Sequence, residues 1–176
     1  MIYPDIAENL VKNRPAYARR VLDITGLLLL LTLSVAIAGC EAGPTTAPYK
    51  TLPTCKMTIG SKSYELEMAR TSDEQETGLM KRDSMPEDHG MIFIFDSDRL
   101  QSFWMKDTRI PLDIIFLDHA GKVVSFASME PYDVNNTSSV QPAQYAVELN
   151  AGQVKACGVE KGSTLKIPDA ALYKGK

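Results

Sequence analysis

The residues of this chain best suited to chemistry stand close together. Trp104, the sole tryptophan, is followed by Lys106, Thr108 and, beyond Ile110-Pro111, Asp113; Arg82 lies in the segment before them. A lysine and a carboxylate beside an indole can orient an anionic or sugar-like ligand through charge-assisted hydrogen bonds and ring stacking. A desolvated lysine or carboxylate at the same place could instead transfer protons. The competing reading is a core tryptophan beside an ion pair that fixes a strand edge. Established catalytic patterns are missing from the sequence: there is no Gly-x-Ser-x-Gly, no His-Glu-x-x-His, no Cys-x-x-Cys and no phosphate-cradling glycine loop. Met80, Met85, His89 and Met91 carry soft ligands of the kind copper(I) takes. The methionines also fall where apolar packing is expected, so neither a metal site nor a cofactor is expected.

The elements that must position these residues are short. Cys55–Ile59 and Ser63–Ala69 alternate apolar and polar residues around Gly60-Ser61, as a hairpin does. At Thr71-Ser72-Asp73-Glu74 a hydroxyl followed by acids marks a helix start, with the helix running over Glu74–Leu79. Gly90–Phe95 is an apolar run of strand length. Gln101–Lys106 and Leu112–Leu117 read as strands joined by a polar bend, an arrangement that would bring Trp104, Lys106 and Asp113 together. With Trp104 inward, Lys106 shares its face and Met105 takes the other. Asp113 could then pair with Lys106 or with Arg82. Lys122–Met129, Gln144–Leu149 and Ser163–Ile167 complete the strands, Glu130–Pro142 reads as a long surface loop, and Asn150 is placed to cap a short helix over Ala151–Ala156 that Gly158 ends. The expected fold is mainly β: a compact sandwich or barrel of about eight short strands with two short helices.

The first part of the chain reads differently. Arg19-Arg20 precede an apolar run from Ile24 to Ala38 that contains Leu27–Leu31 and ends in Ile37-Ala38-Gly39-Cys40. A basic flank, an apolar run too short to span a bilayer and a small-residue end form a secretory signal, and the terminal tetrapeptide resembles a bacterial lipobox. Residues 1–39 are thus expected to be a leader and Cys40 the lipidated residue that anchors the protein to a bacterial membrane. Residues 40–53, rich in Pro and Thr, would form a flexible tether, and 54–176 a single β-rich domain on the periplasmic or outer side. A net charge of −3 without a basic cluster argues against nucleic acid as a partner. Cys55 and Cys157 would remain in the exported part, as a disulfide closing a loop of roughly 100 residues or as two buried thiols.

In order along the chain stand Gly78-Leu79-Met80-x-Arg82, Met85-Pro86, Gly90-Met91-x-Phe93-x-Phe95, the run Phe103-Trp104-Met105-Lys106-x-Thr108-x-Ile110-Pro111-Leu112-Asp113, and Glu148-Leu149-Asn150-Ala151-Gly152. These blocks resemble domain-of-unknown-function family 192 (uncharacterised protein family 0127), over about Met57 to Ile167. The resemblance implies a mainly β domain of bacteria, often exported or lipid-anchored, and no settled activity. Arg82, Trp104, Met105, Lys106, Thr108, Pro111, Leu112 and Asp113 match its motifs. Family members commonly carry Asn where this chain has Asp107, and neither Cys55 nor Cys157 belongs to the pattern. The function expected is a non-enzymatic envelope lipoprotein binding a small ligand or an envelope protein through Arg82, Trp104, Lys106, Thr108 and Asp113. The alternative is a hydrolase or lyase acting on a cell-envelope component, with Lys106 or Asp113 in proton transfer.

Overall fold

A computed structural model describes residues 50–174. The leader, Cys40 and the tether up to residue 49 lie outside the described residues. The described residues form eight strands and two short α-helices, with a 3-10 turn at Asp169–Ala171: β1 (Thr54–Ile59), β2 (Lys62–Ala69), α1 (Ser72–Thr77), β3 (His89–Arg99), β4 (Ser102–Phe103), β5 (Leu112–Leu117), β6 (Val123–Met129), β7 (Thr137–Ser138), β8 (Ala143–Asn150) and α2 (Gln153–Cys157). Six strands form one sheet in the order β1-β2-β3-β8-β5-β6, and β4 pairs with β7 in a second, two-stranded sheet. All neighbours in the large sheet are antiparallel except β2 and β3. That parallel pair needs a crossover, and α1 supplies it. The mainly β class, the strand number and the two helices are as expected. Among the described residues no helix is long and apolar enough to cross a membrane.

Both faces of the large sheet are covered, so its central strands β3, β5 and β8 are near-continuous apolar runs rather than alternating ones. One face carries Tyr64, Leu66, Ile92, Ile115, Val147 and Leu149 beneath α2 and the segment from Val159 to Ala171. The other carries Met91, Phe93, Leu112, Ile114 and Phe116 beneath Leu52, Leu79, Met105 and Ile110. Leu52 is only 7% exposed. Its backbone N–H donates to Glu67 Oε2 at 3.3 Å, and Met68 N–H donates to Pro53 O at 2.9 Å. The packed domain therefore includes residues assigned from sequence to the tether, because an apolar side chain there finds a place on the second face.

Thr71 caps α1 in a capping box, its hydroxyl accepting from Glu74 N–H while the Glu74 carboxylate accepts from Thr71 N–H. The backbone N–H of Arg70 and, after it, that of Thr71, both donating to Glu74 Oε2, hold the Glu74 carboxyl below the usual range. The cap of α2 departs from expectation. Asn150 ends β8 and donates to Met85 O and Pro86 O, whereas the N–H of Val154 donates to Asp113 Oδ2 at 3.0 Å, a carboxylate brought from β5. Ser163–Ile167 is not a strand; it contributes a single bridge, Thr164 to Lys122. The eighth strand is instead β7, inside the expected surface loop, where Ser139 and Gln101 bond each other across the gap.

Cys55 and Cys157 are both buried, free thiols. Ser61 N–H donates to Cys157 O, so Cys157 sits at the Gly60 end of β1 while Cys55 lies at its beginning. Strand rise separates those ends by roughly 13–16 Å, beyond the ~7 Å Cα spacing a disulfide tolerates. The even cysteine count reflects two core positions, not a bridge. Gly60 has no alternative at its position: φ is 57°, and a Cβ would stand 2.0 Å from Cys157 O.

Candidate functional site

Nine residues separate Phe103 from Asp113, and the chain there does not run as two strands joined by a bend. After β4 it enters a tight turn: Thr108 N–H donates to Met105 O at 3.1 Å, Met105 N–H to Asp133 O at 2.7 Å, and Tyr132 N–H to Thr108 O at 3.1 Å. Met105, not Trp104, faces inward, at 2% exposed against 42%. Trp104 and Lys106 stand outside together, with Lys106 Nζ 5.2 Å from the ring centre, a cation–π contact. Asp107 occupies the left-handed region at φ 56°. Asn and Asp tolerate that conformation better than other L-residues. The Asn-to-Asp departure from the family pattern therefore keeps the turn, and Asp107 O accepts from Lys81 N–H at 2.8 Å.

Asp113 does not join this group. Leu112, Ile114 and Phe116 of β5 face the Met105 side of the sheet, and Asp113 faces the other. It is 2% exposed, accepts from Ser128 Oγ at 2.7 Å as well as from Val154 N–H, and pairs with neither Lys106 nor Arg82. One residue along a strand reverses the side-chain direction, which is why proximity in sequence misplaced it.

Arg82 is also buried, on the Met105 side. Its guanidinium grips Glu67 with two bonds, Nη1–Oε1 at 2.5 Å and Nη2–Oε2 at 3.0 Å. Glu67 on β2 is level with Met91 on β3, and Met91 is level with Glu148 on β8. A row of two carboxyls thus spans the sheet beneath one arginine. Glu148 is 4% exposed, and burial pushes its carboxyl up to about 8, with Arg82 opposing only in part. Burial between the apolar Met91 and Ile114 therefore favours its protonated form.

Glu148 lines a cleft of about 170 Å³ between α1 and the segment Gln101–Thr108. Phe95, Phe103 and Trp104 form one wall; Gly78, Thr77 and Gln75 form the other. Phe103 anchors the aromatic side, its ring 4.9 Å from Phe93 and 5.7 Å from Phe116 in edge-to-face contacts. Gln75 Nε2 donates to Ile94 O at 2.8 Å and fixes α1 over β3. Gly78, at φ 45°, turns the chain where a Cβ would press on Phe93 at 3.4 Å. Of the residues expected at a site, Trp104 and Thr108 line this cleft, Lys106 stands on the indole outside it, and Arg82 lies beneath, lining a neighbouring cleft with Leu52 and Met91.

Sequence reasoning missed Glu148 and Glu67. The clue for Glu148 was a carboxylate within an otherwise buried run, Tyr145-Ala-Val-Glu-Leu149. Of the residues suited to copper, Met91 is buried between the two glutamates, Met85 packs against the same layer, and His89 faces Asp88 at 2.8 Å.

The family model DUF192, Uncharacterized ACR, matches residues 55–167. The chain belongs to the DUF192 family. Two solved structures are similar to it. One, from Sinorhizobium meliloti 1021 and described as a "putative transcription regulator", is 32% identical, with a TM-score of 0.63 over 67% of this chain and 96% of that one. The other, a protein of unknown function from Novosphingobium aromaticivorans DSM 12444, is also 32% identical, with a TM-score of 0.62 over 72% of this chain and 94% of that one. No curated protein matches. The DUF192 domain thus has solved structural relatives that share its fold.

Proposed function

We propose that this DUF192 domain is a binding module that takes a small ligand in the cleft between α1 and Gln101–Thr108. The observation that carries this reading is the cleft's composition: four aromatic side chains, Phe93, Phe95, Phe103 and Trp104, and the buried Glu148 carboxyl converge on a space of about 170 Å³. The lining is more polar than apolar, so the cleft offers ring contact and hydrogen bonds together, which suits a polar ligand with an aromatic-binding part. The two histidines are spent on exposed aspartates, His89 on Asp88 and His119 on Asp98, away from the cleft lining. The sequence of the leader supports export, with acyl chains on Cys40 holding the module at a bacterial membrane as an envelope lipoprotein.

Glu148 favours one second reading. A carboxyl that keeps its proton near neutral pH can act as a general acid, which would make the domain a hydrolase or lyase acting on a cell-envelope component. In that reading Glu148 takes the proton-transfer role, since Asp113 is committed to α2.

The sole tryptophan lines the cleft and reports on it. Titrating the full chain with a panel of small cationic, neutral and anionic compounds should change Trp104 fluorescence for at least one class, without turnover. A panel that leaves the fluorescence unmoved throughout removes the cleft as a ligand site. Consumption of a bound compound would establish the enzyme instead.

A further inference from the structure

Resting on the reading of the cleft as a ligand site, we propose that its ligand carries a small ammonium group, protonated or quaternary, held by the aromatic side chains of Phe95, Phe103 and Trp104 that line the cleft and by the Glu148 carboxylate. Aromatic faces present negative quadrupole charge, and cages of such rings are a general solution for ammonium recognition. The cleft adds acceptors rather than cations. Its lining includes Glu148, the exposed Glu76 and the last turn of α1, and contains no lysine or arginine. At the end of α1 Gly78 N–H and Met80 N–H already bond Glu74 O and Thr77 O, and the carbonyl end of the helix carries partial negative charge. Trp104 already holds one ammonium, that of Lys106, 5.2 Å from its ring centre. The volume, about 170 Å³, suits a head group rather than a bulky ligand.

The charges around Glu148 are consistent with this. On β3 and β5 its level neighbours are Met91 and Ile114, both apolar. From the segment after α1 comes Arg82, whose guanidinium is engaged by Glu67 of β2. Glu76 stands on α1, and Lys106 lies on the indole outside the lining. No hydrogen bond from the described residues offsets the burial that raises the Glu148 pKa to about 8. A cation beside the carboxyl favours its ionised form. Binding near pH 7 therefore sends the Glu148 proton to the buffer, and affinity for the cation rises with pH until it levels above about 8.

The test is calorimetric titration of the full chain with tetramethylammonium chloride, tert-butanol and sodium acetate, each in two buffers of different ionisation enthalpy. The expected result is that tetramethylammonium binds at least about tenfold more tightly than the others. Its heat should depend on the buffer in the sense of proton release at pH 7. Glu148→Gln, which matches the protonated acid in shape, should abolish the buffer dependence and weaken binding about tenfold. Trp104→Ala, at a half-exposed position that leaves folding intact, should weaken it as well. Equal or tighter binding of tert-butanol or acetate overturns the ammonium assignment and leaves the cleft as a ligand site. Tetramethylammonium binding that is unchanged in both variants overturns it too. Binding of none of the three, together with an unresponsive Trp104 across the wider panel, removes the ligand site itself.

Discussion

Two buried carboxyl groups lie one register step apart in the central strands and meet opposite fates. Asp113 on β5 is level with Leu149 of β8, and Glu148 on β8 is level with Ile114 of β5, so the two point to opposite faces of the sheet. Both are nearly inaccessible, at 2% and 4%. Asp113 is bonded by Ser128 Oγ and by the backbone of Val154, which it locks at the start of α2. Glu148 has Arg82 near it but no bonded donor among the described residues, and it faces a cleft. A carboxylate with two good donors is part of the scaffold. One left in an apolar layer next to open space is a candidate for function. Burial alone does not separate the two; the donors around each do.

The sharpest way to break the contrast is to remove the arginine that serves the functional face. Arg82→Met should destabilise the protein by about 3–5 kcal/mol, because Glu67 loses both bonds while staying largely buried. The Glu148 carboxyl also loses the one influence holding it down and should move further up. Urea denaturation measures the first effect; a loss below about 1 kcal/mol would show that the pair is peripheral to the fold. Next in size is the scaffold carboxylate. Asp113→Ala removes the acceptor for Val154 N–H and leaves that buried donor without it, at a cost of about 2–4 kcal/mol. Hydrogen exchange should then show α2 opening before the strands do. Uniform loss of protection across the sheet would mean that Asp113 is more than the cap of α2.

Glu148→Gln separates the two carboxyls by pH. The folded acid keeps its proton to about pH 8, whereas the unfolded acid releases it near about 4.3. Between those values the folded state binds more protons, so raising the pH favours unfolding by up to about 1.4 kcal/mol per unit from this group. Glutamine has no such slope. The variant should match the wild type only below about pH 4 and gain on it steadily from there toward pH 8, as read by denaturation at intervals of one unit. Parallel stability curves for the two proteins would place the carboxyl in contact with water.

The contrast also explains what could be read from sequence and what could not. The β class, the strands β1, β2, β3, β5, β6 and β8 and the Thr71 cap follow from period, turn residues and local hydrogen bonding, all short-range properties. The motif around Trp104 was legible as a dense block, and Trp104 and Thr108 do line the cleft. Its geometry was not legible. Asp113 looked like a partner of Lys106 because eight residues with a proline suggested a hairpin bend, yet the turn that forms depends on Asp133 and Tyr132 from a distant loop. Glu148 stands in a recognisable block but reads there as part of a helix start, because its neighbours on β3 and β5 lie more than thirty residues away in sequence. Strand order, and with it the meeting of Glu67, Arg82 and Glu148 over Met91, is a non-local property that single-strand patterns do not encode.

The smallest expected effect is on the rim of the cleft. Trp104 is 42% exposed, and its contact with Lys106 lies at the surface, where such pairs contribute about 0.5–1 kcal/mol. Trp104→Ala should therefore cost less than about 1 kcal/mol and should leave the Glu148-dependent pH slope in place, because neither Arg82 nor the apolar layer around the carboxyl is touched. The same substitution removes a ring from the cleft wall, so a small change in stability should accompany a clear loss of ligand response. A cost above about 2 kcal/mol would move Trp104 into the category of Asp113, a residue retained for the fold, and the division between scaffold and site would then fall inside the cleft rather than between the two faces of the sheet.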